Sequence, residues 1–175
     1  KHKYAKRENT DDTEIARGLL QKSIELDDNL ISAKVLLGTT YREMGDYDEA
    51  MEIYIPALEQ AEKLGDKTGM GATLGNMGIV HRNKGELDKA LEYYDRSLKI
   101  SEELGNKYGM GATLINIGNV HQNKGEYDKA LEYYDKSLKI REELGDKRGM
   151  GLTLTCIGIV HSNRGEYNKA LDYYD

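Results

Sequence analysis

Residues 69–108 read GMGATLGNMGIVHRNKGELDKALEYYDRSLKISEELGNKY, and residues 109–148 read GMGATLINIGNVHQNKGEYDKALEYYDKSLKIREELGDKR. The two stretches agree at roughly three positions in four, which makes them copies of one unit. A more divergent copy occupies residues 29–68, and a fourth starts at Gly149 and is cut at Asp175. Gly38, Gly78, Gly118 and Gly158, together with Ala50, Ala90, Ala130 and Ala170, recur every 40 residues and fix the period. Ala16 lies 34 residues before Ala50, so residues 10–28 read as the second half of a shorter repeat and residues 1–9 as the remnant of a preceding helix.

Apolar residues recur at helical spacing twice per unit, as Leu74, Met77, Val80 and His81, then as Leu87, Ala90, Leu91, Tyr94 and Leu98. Each unit is therefore a helix hairpin, with helices of about 16 to 18 residues and roughly 25 Å. Gly85, Gly125 and Gly165 stand where a left-handed C-terminal cap belongs, and the acidic residue after each favours the next helix start. Gly65-Asp66, Gly105-Asn106 and Gly145-Asp146 do the same between units. Gly78 and its equivalents fall in mid-helix, at a cost of about 1 kcal/mol against Ala. Close approach of the second helix through small Ala90 is the expected compensation. One hairpin cannot bury both its apolar faces, so stacked neighbours supply the core. The predicted fold is all-α, a right-handed superhelical solenoid.

The chain has 175 residues, 38% hydrophobic and 32% charged, with a single Pro, a composition that suits a helical protein and not a disordered one. Its net charge of -6 argues against a phosphate-binding surface, so no nucleic acid is expected as partner. No apolar run approaches the roughly 20 residues of a membrane span, so no membrane is expected either. The lone Cys156 cannot form an intrachain disulfide, which points to a reducing, cytoplasmic setting. The chain begins without Met and stops inside an apolar-periodic segment, so it reads as a fragment. The cut last helix leaves Ala170, Leu171 and Tyr174 without a following repeat, which predicts end-to-end self-association.

His81, His121 and His161 recur once per repeat, in the column that holds Tyr41, with no companion at ligand spacing. A packing role is expected of them and no metal site. No nucleophile, base and orienting group recur together, so no enzyme and no cofactor is expected. Gly69-Met70-Gly71 lacks the preceding strand of a dinucleotide loop and reads as a flexible helix start. In each Tyr pair, such as Tyr93-Tyr94, one ring belongs to the core and the other to the seam between repeats. Pro56 removes a backbone donor and should kink its helix near Glu52.

Leu74, Gly78, His81, Gly85, Ala90, Tyr94, Leu98 and Tyr127 together resemble the tetratricopeptide repeat, from Thr10 onward. The 40-residue spacing, with GATLxNxGxV opening the first helix and ELGDK closing the unit, is most similar to the long-repeat branch of kinesin light chains and Leu-Gly-Asn-repeat polarity adaptors. The resemblance implies a concave groove, lined by the first helices of successive hairpins, that takes peptides or extended protein segments. Its groove-facing columns would be Ser32, Ala72, Ala112, Leu152; Val35, Gly75, Ile115, Thr155; Leu36, Asn76, Asn116, Cys156; Thr39, Ile79, Asn119, Ile159; and Arg42, Arg82, Gln122, Ser162. The first two columns contain no Lys, unlike chaperone-binding members that clamp a C-terminal carboxylate. What remains resembles an asparagine ladder.

Asn76 and Asn116 share a column, and Asn119 lies three residues on from Asn116, on the same helix face. Such amides can pair with the N–H and C=O of an extended backbone whatever its side chains. Arg82 at the rim would favour an acidic ligand residue, with Gln122 and Thr155 completing the candidate set. The competing reading gives these asparagines to neighbouring helices, as fixers of repeat geometry. The expected function is a protein–protein interaction scaffold with a peptide-binding groove, part of a larger signalling or assembly protein. The alternative is a peptide-gated module that controls an attached effector domain.

Overall fold

The computed structural model describes residues 2–173, with side chains from residue 12 onward; Lys1, Tyr174 and Asp175, and the expectation attached to Tyr174, lie outside it. Among the described residues every regular element is an α-helix and no strand occurs. The order is α1 (His2–Leu26), α2 (Ile31–Met44), α3 (Tyr47–Leu64), α4 (Lys67–Asn83), α5 (Leu87–Glu103), α6 (Lys107–Asn123), α7 (Tyr127–Leu144), α8 (Lys147–Asn163) and α9 (Tyr167–Asp172). α1 runs unbroken through the division expected between residues 9 and 10. α3 continues from Tyr47 to Leu64 through Pro56, which leaves the Glu52 carbonyl without its usual N–H partner.

The chain divides into two compact units, Lys1–Val80 and His81–Asp175. In the first, α1 packs on α2 and α2 on α3. In the second, α5 packs on α6, α6 on α7, α7 on α8 and α8 on α9, and α6 also touches α8, one first helix against the next. Among the described residues no helix is long and apolar enough to cross a membrane.

The turns follow from the glycines. Gly45, Gly65, Gly85, Gly105, Gly125, Gly145 and Gly165 all have φ between 62° and 89°, the left-handed region where a side chain is strained. Their N–H groups fold back on the helix just ended: Gly125 N–H donates to the Gln122 carbonyl at 3.0 Å and Glu126 N–H to that of His121 at 2.9 Å. Between repeats the next helix is capped by a side chain. Asp66, Asn106 and Asp146 accept from the backbone N–H of Gly69, Gly109 and Gly149 at 2.9, 3.0 and 2.9 Å. Gly69 is buried inside α4, and a Cβ there would stand 2.7 Å from Cγ2 of Ile31, so this glycine serves tight packing and not the flexible start expected of it.

Inside the hairpins the acidic residues do something else. Glu86, Glu126 and Glu166 accept no backbone cap bond; their carboxylates meet Nδ1 of His81, His121 and His161 at 2.9, 2.7 and 2.7 Å. Each imidazole lies nearly parallel on a tyrosine of its own hairpin, Tyr93, Tyr133 or Tyr173, with centroids 5.0, 5.2 and 5.4 Å apart. The histidine column thus clips the two helices of a hairpin together, and the outer tyrosine of each pair packs against that clip.

Tyr54, Tyr94 and Tyr134 are fully buried, as are Ala50, Ala90 and Ala130. Gly38 and Gly118 make room for the rings of Tyr54 and Tyr134. A Cβ on Gly118 would sit 2.7 Å from Cδ1 of Tyr134 and closer still to Cε1, and Gly38 meets Tyr54 in the same way. The partner of the missing side chain is therefore the tyrosine ring, where the sequence pointed to the small alanine. A flat ring against bare backbone gains dispersion contacts that offset the propensity cost of glycine.

Candidate functional site

The columns expected to face a groove are set by two first helices in each unit. In Lys1–Val80, the exposed Leu36, Ser32 and Ala72 line a hollow of about 470 Å³ together with Leu30, Asp66 and Thr68. Val35 is buried and belongs to a core cluster with Ile31 and Ala61. In His81–Asp175, Ile115 and Cys156 are half-buried against the core of Ala130, Tyr134, Ile157 and Val160, while Leu152, Thr155 and Ile159 are exposed.

Asn76 is occupied within its own unit. Its Oδ1 accepts from Arg42 Nη1 at 3.0 Å, and its Nδ2 donates to the Ala72 carbonyl at 2.9 Å. Thr39 Oγ1 stands 3.4 Å from the same Oδ1, but its single proton goes to the Val35 carbonyl at 2.8 Å. Arg42 also pairs with Glu43 at 3.3 Å. The network ties α2 to α4 and fixes the geometry between them.

The same two columns are open in the second unit. Asn116 on α6 is half-buried and its amide has no hydrogen-bond partner among the described residues. Arg82, in the last turn of α4, is half-buried, makes no ion pair among the described residues, and reaches only the adjacent Asn83 at 3.4 Å. Thr155 Oγ1 donates back to the Gly151 carbonyl of its own helix at 2.8 Å. Its outward contribution is thus a methyl group and an oxygen lone pair.

Asn119 and Gln122 meet at a residue that the sequence assigned only to the core. The Tyr134 hydroxyl lies 2.7 Å from Oδ1 of Asn119 and 2.8 Å from Oε1 of Gln122. Burial pushes the Tyr134 phenol up from its ordinary pKa, and the neighbouring Cys156 adds to this; the positive charge of Arg82 opposes it. Burial likewise pushes the Cys156 thiol up, again against Arg82. A raised thiol is a poor nucleophile at neutral pH, so Cys156 serves as filler. Arg82, Asn119, Gln122, Tyr134 and Cys156 therefore form one neighbourhood. The signal that could have drawn Tyr134 in is Asn119 itself, which stands where the other repeats have Thr39, Ile79 and Ile159.

The tetratricopeptide repeat family matches residues 29–103 and 109–175, and the chain belongs to it. No curated protein matches the chain. Among solved structures it is similar to BtubC (BKLC) from P. vanneervenii, with 20% identity, a TM-score of 0.80, and coverage of 95% of this chain and 72% of that one. A Rap protein complexed with Competence and Sporulation Factor gives 17% identity and a TM-score of 0.82 over 95% of this chain and 48% of the other. A Podosopora anserina structure of kinesin light chain type, with nearly identical repeats, gives 14% and 0.70 over 98% and 89%. At these identities the likeness is one of fold, that of tetratricopeptide solenoids. Membership of the family makes the chain a protein-interaction scaffold.

Proposed function

We propose that the chain binds an extended, acidic protein segment along the first helices of its second unit, α6 and α8, with Arg82 at the rim. The observation that carries this is the pair of unmet polar groups, the Asn116 amide and the Arg82 guanidinium. Both are half-buried, and the same residue types are consumed internally in the first unit. A polar group taken partly out of water without a partner costs free energy that a ligand can recover. Asn116 offers a donor and an acceptor to a peptide backbone, and Arg82 offers a fork to a carboxylate. The fold shared with a Rap protein complexed with Competence and Sporulation Factor supports the reading.

The test is selection of random dodecapeptides displayed on phage against the immobilised chain, followed by affinity measurements on the tightest synthetic peptide. The expected result is an acidic peptide whose binding weakens about tenfold in Asn116→Ala and in Arg82→Ala, the ~1–1.5 kcal/mol of one hydrogen bond. Binding should also weaken as salt is raised. Failure to select any peptide, or binders indifferent to both substitutions, would overturn the reading.

A further inference from the structure

The outer face of α3 breaks two local rules that its sister helices keep. On α5, Glu92 stands between Lys89 and Arg96, and on α7 Glu132 stands between Lys129 and Lys136. That three- and four-residue spacing lets opposite charges support a helix. The same positions on α3 read Glu49, Glu52 and Pro56, and the lysine two turns past the glutamate, Lys99 or Lys139, becomes Glu59. All four α3 residues are exposed, and Glu49, Glu52 and Glu59 make no ion pair among the described residues. Lys63, close to the end of the helix, is the one base in α3. Both departures cost stability: like charges three residues apart repel, and a proline in a helix interior removes a ladder bond and crowds the preceding turn. Two local rules broken together on one exposed face, in one repeat out of several, mark a surface kept for something other than folding.

The groups on that face are acceptors set around an apolar centre. Three carboxylates stand unpaired, and the Glu52 carbonyl, released by Pro56, is a further acceptor. Ile55 is 46% exposed beside them, where α5 and α7 carry Asp95 and Asp135. Next to Pro56 and Glu59 opens a hollow of about 560 Å³ that Asp28, Lys63 and Leu64 also line. Lys34, in the same hollow, is spent: its ammonium meets Asp28 at 2.7 Å and Gln60 at 2.5 Å. The complement of such a face is a positive donor on a long apolar stem, which is an Arg or Lys side chain.

We infer that the outer face of α3, centred on Glu52, Pro56 and Glu59, docks a basic segment of a partner protein. An Arg or Lys of that segment is held at the rim of the hollow by Glu52 and Glu59, and an adjoining apolar residue rests on Ile55. This surface shares no residue with the site proposed for the acidic ligand on α6 and α8, and it takes a ligand of opposite charge.

A triple variant, Glu49→Lys with Pro56→Arg and Glu59→Lys, installs what α5 carries as Lys89, Arg96 and Lys99. With the proline gone it should melt no lower than the unaltered chain, so that lost binding is not lost folding. The probe is a random dodecapeptide phage library, depleted on this variant and then selected on the unaltered chain. The expected survivors carry an Arg or Lys beside an apolar residue, and synthetic copies should bind the variant at least about tenfold more weakly. Glu52→Gln, which keeps the shape of the side chain, should weaken them about 2- to 5-fold, the scale of one exposed ion pair. Arg82→Ala and Asn116→Ala should leave their binding unchanged, so the two surfaces stand or fall separately. An absence of survivors, survivors without a base, or a scrambled peptide of the same composition that binds equally well would each overturn the inference. So would sedimentation in which the unaltered chain dimerises and the triple variant stays monomeric, because the face would then belong to a second copy.

Discussion

The arginine–asparagine column is closed in Lys1–Val80 and open in His81–Asp175. Arg42 donates to Asn76 at 3.0 Å and leans on Glu43, whereas Arg82 and Asn116 carry the same side chains in the next repeat and find no such partners. The lesson is that a repeated residue is not a repeated role. In the first unit the pair holds two helices in place; in the second neither member has such a partner among the described residues, and the proposed ligand would take that role. The neighbours make the difference: Glu43 beside Arg42 becomes Asn83 beside Arg82, and Thr39 becomes Ile79 and then Asn119.

The largest expected effect comes from the feature the two units share. Gly118→Ala places a methyl against the fully buried Tyr134 ring and should cost about 2 kcal/mol or more in chemical denaturation, despite the better helix propensity of Ala. Gly38→Ala does the same to Tyr54. Only the Gly118 variant should also lose affinity for the selected peptide, because only Tyr134 bonds two amides of the proposed groove, Asn119 and Gln122. Equal loss of binding in both would erase the distinction between the units.

The next effect sharpens it. Asn76→Ala strips Arg42 of its neutral acceptor and should lower stability by about 1–2 kcal/mol, with modest effect on peptide binding. Asn116→Ala should leave melting within about 0.5 kcal/mol of the parent, because the half-buried amide has no partner among the described residues to lose. Destabilisation by Asn116→Ala would mean that the second unit is closed after all.

The smallest expected effect concerns pH and the histidine clips. The Glu86 carboxyl is held down to about 2, first by the Lys89 ammonium and then by His81. A depressed carboxyl adds stability that is fully present above its ordinary pKa of 4.5 and is lost as pH falls towards 2. Glu126, where His121 is the leading cause, and Glu166, where Lys169 leads, are lowered in the same direction. Melting curves between pH 5 and 2 should therefore be flatter for Glu86→Gln than for the parent. Parallel curves would show that the clip adds nothing.

The fold was largely legible because its determinants are local and repeated. Seven glycines at helix ends, all with positive φ, and a fully buried alanine column announce hairpins without any tertiary information. The partner of the mid-helix glycines was not legible, since Ala130 and Tyr134 lie one turn apart on the same helix and spacing alone does not say which crosses Gly118. The histidine clips were within reach. His81, His121 and His161 each stand five residues before a glutamate, while the first repeat changes both members together, to Tyr41 and Asp46. The split between Asn76 and Asn116 was hidden, because it depends on the rotamer of an arginine 34 residues away in sequence. Tyr134 was hidden in plain periodicity: the tyrosine recurs unchanged, and only the amides facing it differ.

The most direct measurement is side-chain amide NMR of Asn and Gln residues during titration with the selected acidic dodecapeptide. The account predicts that the NH2 resonances of Asn116, Asn119 and Gln122 move together with occupancy and that those of Asn76 stay in place, held between Arg42 and the Ala72 carbonyl. Movement of Asn76 with the three α6 amides unchanged would contradict it.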